Sequence, residues 1–261
     1  MKTPKVLVLR TAGTNCDNET KYAFEKAGAM VEVIHINALL SNKKILENYQ
    51  LLALPGGFTY GDDVAAGKIL ANQIKYHLED EIKNFIDAKK LILGICNGFQ
   101  VLVRAGLLPS FERFHQEATL THNDSNKFED RWVYLKICAD TSYFIRREHA
   151  PILYLPVAHG EGKFLAKDKD VLDKMVKNRQ VVFQYVDKNG EDAGYPMNPN
   201  GSVLNIAGIC DQTGQILGMM PHPERNVDPT QQPCWTRQGL KASGDGFLIF
   251  KNAVQYMKEI F

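Results

Sequence analysis

The sequence predicts an α/β fold with an open, mostly parallel central sheet and helices on both of its faces. Two observations lead to this prediction. Apolar runs alternate with helical patterns through the first half, and glycine-bearing loops follow three of these runs, at residues 11–15, 55–61 and 94–98. Such alternation produces parallel sheets, whose ligands bind beyond the carboxyl ends of the strands. With 44% hydrophobic residues and no evident linker, we expect a single domain over residues 1–261.

The first half of the chain supplies the parallel strands of this prediction. Apolar runs predict strands at residues 5–9, 31–36, 50–54 and 90–95, and helical patterns cover residues 20–27, 68–88 and 97–105. The second half is richer in strands, with candidates at residues 118–122, 132–138, 152–157, 180–186, 205–209 and 216–219, and it closes with a helix over residues 246–260. Residues 187–201 and 228–244 are rich in loop-forming residues such as glycine and proline, which predicts two long loops.

Composition argues against several classes of partner and cofactor. The net charge of +1 gives no support for binding to nucleic acid or to a membrane surface. No apolar stretch approaches the roughly 20 residues of a spanning helix, and a strand near the N-terminus leads us to expect no signal peptide. The five cysteines are widely and irregularly spaced. We therefore expect neither a disulfide framework nor a metal site, and a reducing, cytoplasmic location.

Cys96 is the first candidate functional residue. It lies between a predicted strand and a predicted helix, in the pattern Gly94-x-Cys96-x-Gly98. Glycines two residues on either side of a nucleophile permit the tight strand-to-helix turn called a nucleophile elbow. The thiol would then lie at a helix N-terminus, where the helix dipole and free N–H groups favour a thiolate and an oxyanion. A buried core cysteine could have the same pattern, so a second motif is needed.

The second motif is the run from Gly218 to Arg225, which contains Pro-His-Pro-Glu. Its prolines predict a rigid loop after a strand, and the loop presents His222 and Glu224 two residues apart. A histidine can take the proton of a catalytic cysteine and return it to a leaving amine. A carboxylate can orient the imidazole and stabilise its charged form. We therefore interpret Cys96, His222 and Glu224 as a catalytic triad.

A third motif follows the strand at residues 50–54 and reads Pro-Gly-Gly-Phe at residues 55–58. Adjacent glycines allow the backbone to approach a ligand closely. The backbone N–H of Gly57 or Phe58, together with that of Asn97, would form an oxyanion hole. Cys16, in the loop after the first strand, is interpreted as structural rather than as a second nucleophile.

These motifs, in this order, resemble those of the class I (triad) glutamine amidotransferases, which have a flavodoxin-like fold. Within them, the chain is similar to the glutaminase subunits of phosphoribosylformylglycinamidine synthase. The similarity is carried by Gly-Thr-Asn-Cys-Asp at residues 13–17, the segments at 55–62 and 96–100, His-Gly-Glu-Gly-Lys at 159–163 and Asn-Ile-Ala-Gly-Ile at 205–209. It extends from Val6 to about Asp228.

The resemblance implies that Cys96 attacks the side-chain amide of glutamine and that His222 protonates the ammonia. It also implies that Gln100 contacts the bound glutamine, and His122 is a further candidate for lining the pocket. No cofactor is expected on this chain. ATP and Mg²⁺ are expected on a PurL-type synthetase subunit, which receives the ammonia and makes formylglycinamidine ribonucleotide in purine synthesis. A small PurS-type subunit is a further expected partner.

Some segments depart from the family pattern. Thr11-Ala12 replaces an aromatic-proline pair, residues 62–66 read Asp-Asp-Val-Ala-Ala, and the two long loops add length. These departures lie outside the triad but concern the partner interface. Two other classes of function stay open: a related elbow-cysteine enzyme, such as a peptidase or a glutaminase for GMP or histidine synthesis, and a binding module without activity. An intact triad argues against the binding module.

Overall fold

The computed structural model describes residues 3–146 and 152–261. The strands in these ranges are β1 Lys5–Arg10, β2 Met30–His35, β3 Leu51–Leu54, β4 Leu91–Ile95, β5 Ala118–Thr121, β6 Glu129–Ile137, β7 Ile152–His159, β8 Lys163–Ala166, β9 Val181–Val186, β10 Ile206–Cys210 and β11 Ile216–Met219. The helices are α1 Asp17–Lys26, α2 Ile36–Ser41, α3 Lys68–His77, α4 Glu79–Asp87, α5 Asn97–Arg104, α6 Lys169–Lys177, α7 Trp235–Gln238 and α8 Phe247–Ile260. None of these helices has the length and apolar character needed to cross a membrane.

Nine of the described strands form one sheet, in the order β2-β1-β3-β4-β11-β10-β9-β6-β7. The strands from β2 to β11 are parallel, and those from β11 to β7 are antiparallel. The α/β fold class is therefore confirmed, with the parallel strands in the half of the sheet that the alternating pattern predicts. Strands β3 and β4 are buried along their whole length, as expected of parallel strands covered on both faces.

Most predicted elements lie within about three residues of their expected bounds, but the prediction omits α2, α6, α7 and β8. Strand β8 is short and pairs only with β5 in a separate two-stranded sheet, so it has little periodicity of its own. Helix α6 begins after Asp168, a residue type that favours the N-cap position, and the Asp168 carboxylate accepts a hydrogen bond from the Val171 N–H at 2.9 Å. The helical region predicted at residues 68–88 is divided at Leu78, whose φ of −125° is not helical.

The loops after β1 and β3 are joined to each other by backbone hydrogen bonds. The N–H groups of Asn15 and Cys16 donate to the Gly56 carbonyl at 3.4 and 3.2 Å, and the Phe58 N–H donates to the Gly13 carbonyl at 2.8 Å. These loops leave the same edge of the sheet as the loop after β4, because β1, β3 and β4 are parallel neighbours. The three glycine-bearing loops of the sequence therefore converge at one place, as predicted.

Candidate active site

Cys96 connects β4 to α5 in a strained turn. Its φ of 51° and ψ of −105° are unusual for any residue other than glycine. The turn is held at both ends: the Cys96 N–H donates to the Met219 carbonyl at 2.8 Å, and the Cys96 carbonyl accepts from the Gln100 N–H at 3.1 Å. The thiol is 5% exposed, and its Sγ lies 3.6 Å from the Ala158 carbonyl oxygen. This is the geometry of a nucleophile elbow.

The glycine after the thiol is required by close backbone packing. A Cβ on Gly98 would lie 1.9 Å from the carbonyl oxygen of Leu54 in β3. No rotation of a side chain relieves a clash with a backbone atom, so only glycine allows α5 to approach β3 this closely. The first turn of α5 is thereby fixed beneath Cys96.

His222 and Glu224 form a buried pair beyond the end of β11. His222 Nδ1 lies 2.6 Å from Glu224 Oε1, and both residues are 1% exposed. The backbone of His222 is tied to β7, because the His222 N–H donates a hydrogen bond to the Pro156 carbonyl at 2.8 Å. Among the described residues, His222 Nε2 and Glu224 Oε2 have no hydrogen-bond partner. Nε2 is therefore the ring nitrogen that Glu224 does not occupy.

The electrostatic surroundings favour a charged imidazole. Burial by itself lowers the pKa of His222, but the Glu224 carboxylate and then Cys96 outweigh burial and raise this pKa well above its ordinary value. A raised pKa favours the imidazolium form of His222, which carries a proton on both ring nitrogens. The structure thus brings together the three residues that the sequence predicted as a triad.

The predicted oxyanion hole needs one correction. The Phe58 N–H donates to the Gly13 carbonyl at 2.8 Å, so it does not face the thiol as a free donor. The remaining candidate donors are the N–H groups of Gly57 and of Asn97 at the start of α5. The Asn97 side chain also holds the neighbouring loop, because its Oδ1 accepts from the Thr59 N–H at 3.2 Å.

The contacts with glutamine predicted for Gln100 and His122 stay predictions, and the two residues have different surroundings. Gln100 is buried, its Nε2 donates to the Glu161 carbonyl at 2.7 Å, and its Oε1 accepts from Asn97 at 2.9 Å. Both ends of its amide are therefore bound within the protein, where they connect α5 to the loop after β7. His122 is exposed at the end of β5, and its neighbour Asn123 occupies the buried position.

Asn123 belongs to a buried polar cluster that the sequence analysis did not identify. Its Oδ1 lies 3.2 Å from His159 Nδ1 and accepts from the Gly162 N–H at 3.0 Å. On the other side of the ring, Asn200 Nδ2 lies 3.5 Å from His159 Nε2. Burial lowers the pKa of His159 to about 3. The His-Gly-Glu-Gly run is thus held in place by the two asparagines, which contact the neutral imidazole of His159 from either side. The sequence could have pointed to this cluster only through the run itself, because the asparagines are distant in sequence.

Cys16 is also placed at the site, against the other side of the catalytic ring. Its Sγ lies 4.0 Å from His222 Nδ1 and accepts a hydrogen bond from Arg225 Nη2 at 3.1 Å. A Cβ on Gly56 would lie 2.7 Å from His222 Cε1 and 3.1 Å from Cys16 Sγ, so the three residues pack tightly. Cys16, His222 and Glu224 form a buried group whose potential metal-ligand atoms all lie within 4.8 Å of one another.

Comparison with known proteins agrees with this geometry. The profile of the CobB/CobQ-like glutamine amidotransferase domain matches residues 3–257. Phosphoribosylformylglycinamidine synthase subunit PurQ from Dehalococcoides mccartyi is 47% identical, with all of both chains covered. The protein of the same name from Methanococcus maripaludis strain C7 is 43% identical, with 98% of each chain covered.

A solved structure shows the same relationship. A chain of PurLQS from Thermotoga maritima superposes with a TM-score of 0.74 at 30% identity, covering 98% of this chain and 99% of that one. The profile and the curated relatives each span nearly the whole chain, so the resemblance is not confined to the elbow. The chain belongs to the CobB/CobQ-like glutamine amidotransferase family.

Proposed function

We infer that this chain is the glutaminase subunit of a phosphoribosylformylglycinamidine synthase. It hydrolyses glutamine and passes the ammonia to an ATP-dependent synthetase subunit, which makes formylglycinamidine ribonucleotide in purine synthesis. The observation that carries the proposal is the buried His222–Glu224 pair beside the elbow thiol, in a chain similar over its whole length to PurQ subunits.

Cys96 is the nucleophile of the proposed reaction. Its thiolate attacks the amide carbon of the glutamine side chain, and the carbonyl electron pair moves onto oxygen. When this intermediate collapses, the C–N bond breaks, and the leaving nitrogen takes the proton of His222 Nε2 and departs as ammonia. The product is a glutamyl thioester on Cys96, with His222 left neutral.

Water completes the cycle. Neutral His222 takes a proton from a water molecule, whose oxygen attacks the thioester carbon and expels the Cys96 thiolate. Glutamate leaves, and the imidazolium–thiolate pair is restored. Glu224 accepts a hydrogen bond from His222 Nδ1 throughout, so it keeps the same tautomer in place and stabilises each charged stage. The N–H groups of Gly57 and Asn97 stabilise the developing oxyanion.

A partner is part of the proposal because the chain has no evident means of using ATP. The sequence contains no Gly-x-x-x-x-Gly-Lys-Ser/Thr pattern. ATP and Mg²⁺ are therefore assigned to a PurL-type subunit, with a PurS-type subunit as a further partner. The similarity to a chain of PurLQS supports this assignment. All five cysteines are free, which supports action in the reducing cytoplasm.

Substitution of the triad tests the chemistry. We expect Cys96→Ser to abolish glutamate release, while the matched control Cys138→Ser, which replaces an exposed thiol, keeps it. His222→Ala should lose roughly 10²–10⁴-fold in kcat/KM, the usual contribution of general acid–base catalysis. Glu224→Gln should lose less, because it retains a hydrogen-bond acceptor. Wild-type turnover by Cys96→Ser would show that another residue is the nucleophile.

The partner is tested separately. Glutamate release is measured for the chain alone and with a PurL-type and a PurS-type subunit, ATP and formylglycinamide ribonucleotide, and amidine formation is followed in the same mixture. We expect low turnover alone and a rise with the partners. Full turnover alone, with no response to any synthetase, would favour a free-standing hydrolase. Stimulation only by a GMP or histidine synthetase would reassign the pathway and leave the chemistry intact.

A further inference from the structure

The proposed mechanism leaves one buried thiol at the site without a task. Cys16 is 1% exposed, yet its Sγ lies against the catalytic ring rather than in the apolar core. The sulfur lies 4.0 Å from His222 Nδ1 and 3.1 Å from Asn15 Oδ1. It also accepts a hydrogen bond from Arg225 Nη2 at 3.1 Å. These are the surroundings of a polar sulfur and not those of a packing residue.

The atoms around this sulfur have the arrangement of a tetrahedral metal site. Cys16 Sγ, His222 Nδ1 and a Glu224 oxygen all lie within 4.8 Å of one another. Zinc bonds of about 2.0–2.3 Å place neighbouring ligand atoms roughly 3.3–3.7 Å apart. The sulfur–nitrogen distance of 4.0 Å would shorten slightly, and the nitrogen–oxygen distance of 2.6 Å would lengthen by less than an ångström on this scale.

A second observation also points to a ligand here. Glu224 Oε2 is buried and has no hydrogen-bond partner among the described residues. An unpaired buried carboxylate oxygen is costly unless some other group satisfies it. A bound cation would satisfy this oxygen without any change of fold, because the carboxylate can rotate either oxygen toward the ion.

We propose that Cys16, His222 and Glu224 form a binding site for Zn²⁺ or a similar thiophilic divalent ion. Binding releases two protons to solvent, one from the Cys16 thiol and one from the bond between His222 Nδ1 and Glu224. The thiolate and the carboxylate together balance the charge of the ion. The N–H of Arg225 that reaches the sulfur is an outer contact of the kind that orients metal ligands.

Metal binding inhibits the proposed glutaminase activity. The inhibition rests on the proposed function, whereas the metal binding does not. A metal on Nδ1 leaves the hydrogen of the neutral imidazole on Nε2, so His222 can no longer accept a proton there. Glu224 is held by the ion at the same time. Cys96 is not a ligand, because it exchanges its proton with the other nitrogen of the ring. The site is therefore inhibitory and reversible by chelation.

The experiment uses the full chain and follows binding by absorption. Co²⁺ is titrated as a spectroscopic substitute for Zn²⁺, and a thiolate-to-cobalt charge-transfer band reports a sulfur ligand. Zn²⁺ is then added to displace the cobalt, which gives its affinity. We expect one band per chain that survives in Cys96→Ser and in the control Cys138→Ser. The band should disappear in Cys16→Ser, with zinc affinity reduced at least about 100-fold, more than outer contacts typically contribute.

Each alternative outcome overturns the proposal. No band in the wild-type chain means that no such site exists. A band lost in Cys96→Ser but kept in Cys16→Ser places the metal on the catalytic thiol. Because Cys16→Ser could fold poorly, Glu224→Gln is measured in parallel, with circular dichroism as the check on folding, and unchanged zinc affinity in that variant contradicts the proposed ligand set. Inhibition of glutamate release by Zn²⁺ is measured in the wild-type chain and in Cys138→Ser, each against its own metal-free activity, because Cys96→Ser is expected to have none.

Discussion

The buried His159 makes the stability of this protein depend on pH in a way that can be calculated. Burial lowers the pKa of its imidazole from 6.5 to about 3, because the partners on either side are the neutral amides of Asn123 and Asn200. The unfolded chain, in contrast, protonates this ring near its ordinary pKa. Acid therefore favours the unfolded state: the contribution of His159 to stability is complete above about pH 6.5 and falls steadily as the pH drops toward 3.

The size of the effect follows from the two pKa values. Each pH unit in this window costs about 1.4 kcal/mol of unfolding free energy, because the unfolded state binds one more proton than the folded state. Near pH 6.5 the dependence is weaker, since the unfolded ring is only partly protonated. Between pH 7 and pH 5 the summed loss is about 2 kcal/mol.

The measurement is urea unfolding of the wild-type chain and of His159→Gln at several values between pH 7 and pH 5. The variant should be less stable at every pH, because glutamine fills the cavity of the ring poorly, but it cannot titrate in this window. We expect the free energy of unfolding to fall by about 2 kcal/mol more in the wild-type chain than in the variant over this range. Equal pH dependence in both proteins would refute the argument for a neutral, buried His159.

Three further predictions use matched substitutions. Gly98→Ala should lose about 3 kcal/mol of stability, the upper end of the usual cost of overpacking, through its clash with the Leu54 carbonyl. In contrast, Gly160→Ala, whose Cβ would have its nearest neighbour at 4.0 Å, should melt close to the wild type. Gly56→Ala should fold but lose roughly 10²-fold in glutamine turnover, because its Cβ displaces the His222 ring. The control Gly194→Ala, with open space around it, should keep its turnover. Equal turnover in both variants would show that the position of the ring does not limit the reaction. Asn123→Ala should cost about 1–3 kcal/mol by removing partners of His159 and Gly162, and a thermal melt as high as that of the exposed-site control Asn18→Ala would contradict this role.

The sequence was sufficient to predict the parallel half of the sheet and the proximity of His222 to Glu224. Strands β3 and β4 are short apolar runs that end in glycine loops, and both features can be read locally. The glycines flanking Cys96 are required by close backbone contacts, which are typical of a nucleophile elbow. His222 and Glu224 lie two residues apart between prolines, so their proximity needs no knowledge of the fold.

The remaining features of the site depend on contacts between distant segments. Asn123 and Asn200 meet on opposite sides of His159, and nothing in their local sequence indicates this. Phe58 looked like an oxyanion donor because it follows two glycines, but the loop after β1 takes its N–H. Cys16 approaches His222 across 206 residues. Each of these contacts is set by the order of the strands, which local patterns do not specify.

The two buried histidines have opposite pKa shifts. His222 and His159 are both almost fully buried, yet the pKa of the first is raised and that of the second is lowered. The difference lies in their partners, because His222 faces a carboxylate and His159 faces amides, which offer hydrogen bonds without charge. The charge on His222 also lowers the pKa of His159, so protonation of the first opposes protonation of the second. The amides therefore surround His159 without adding charge, and the proton is held by His222, which faces a carboxylate.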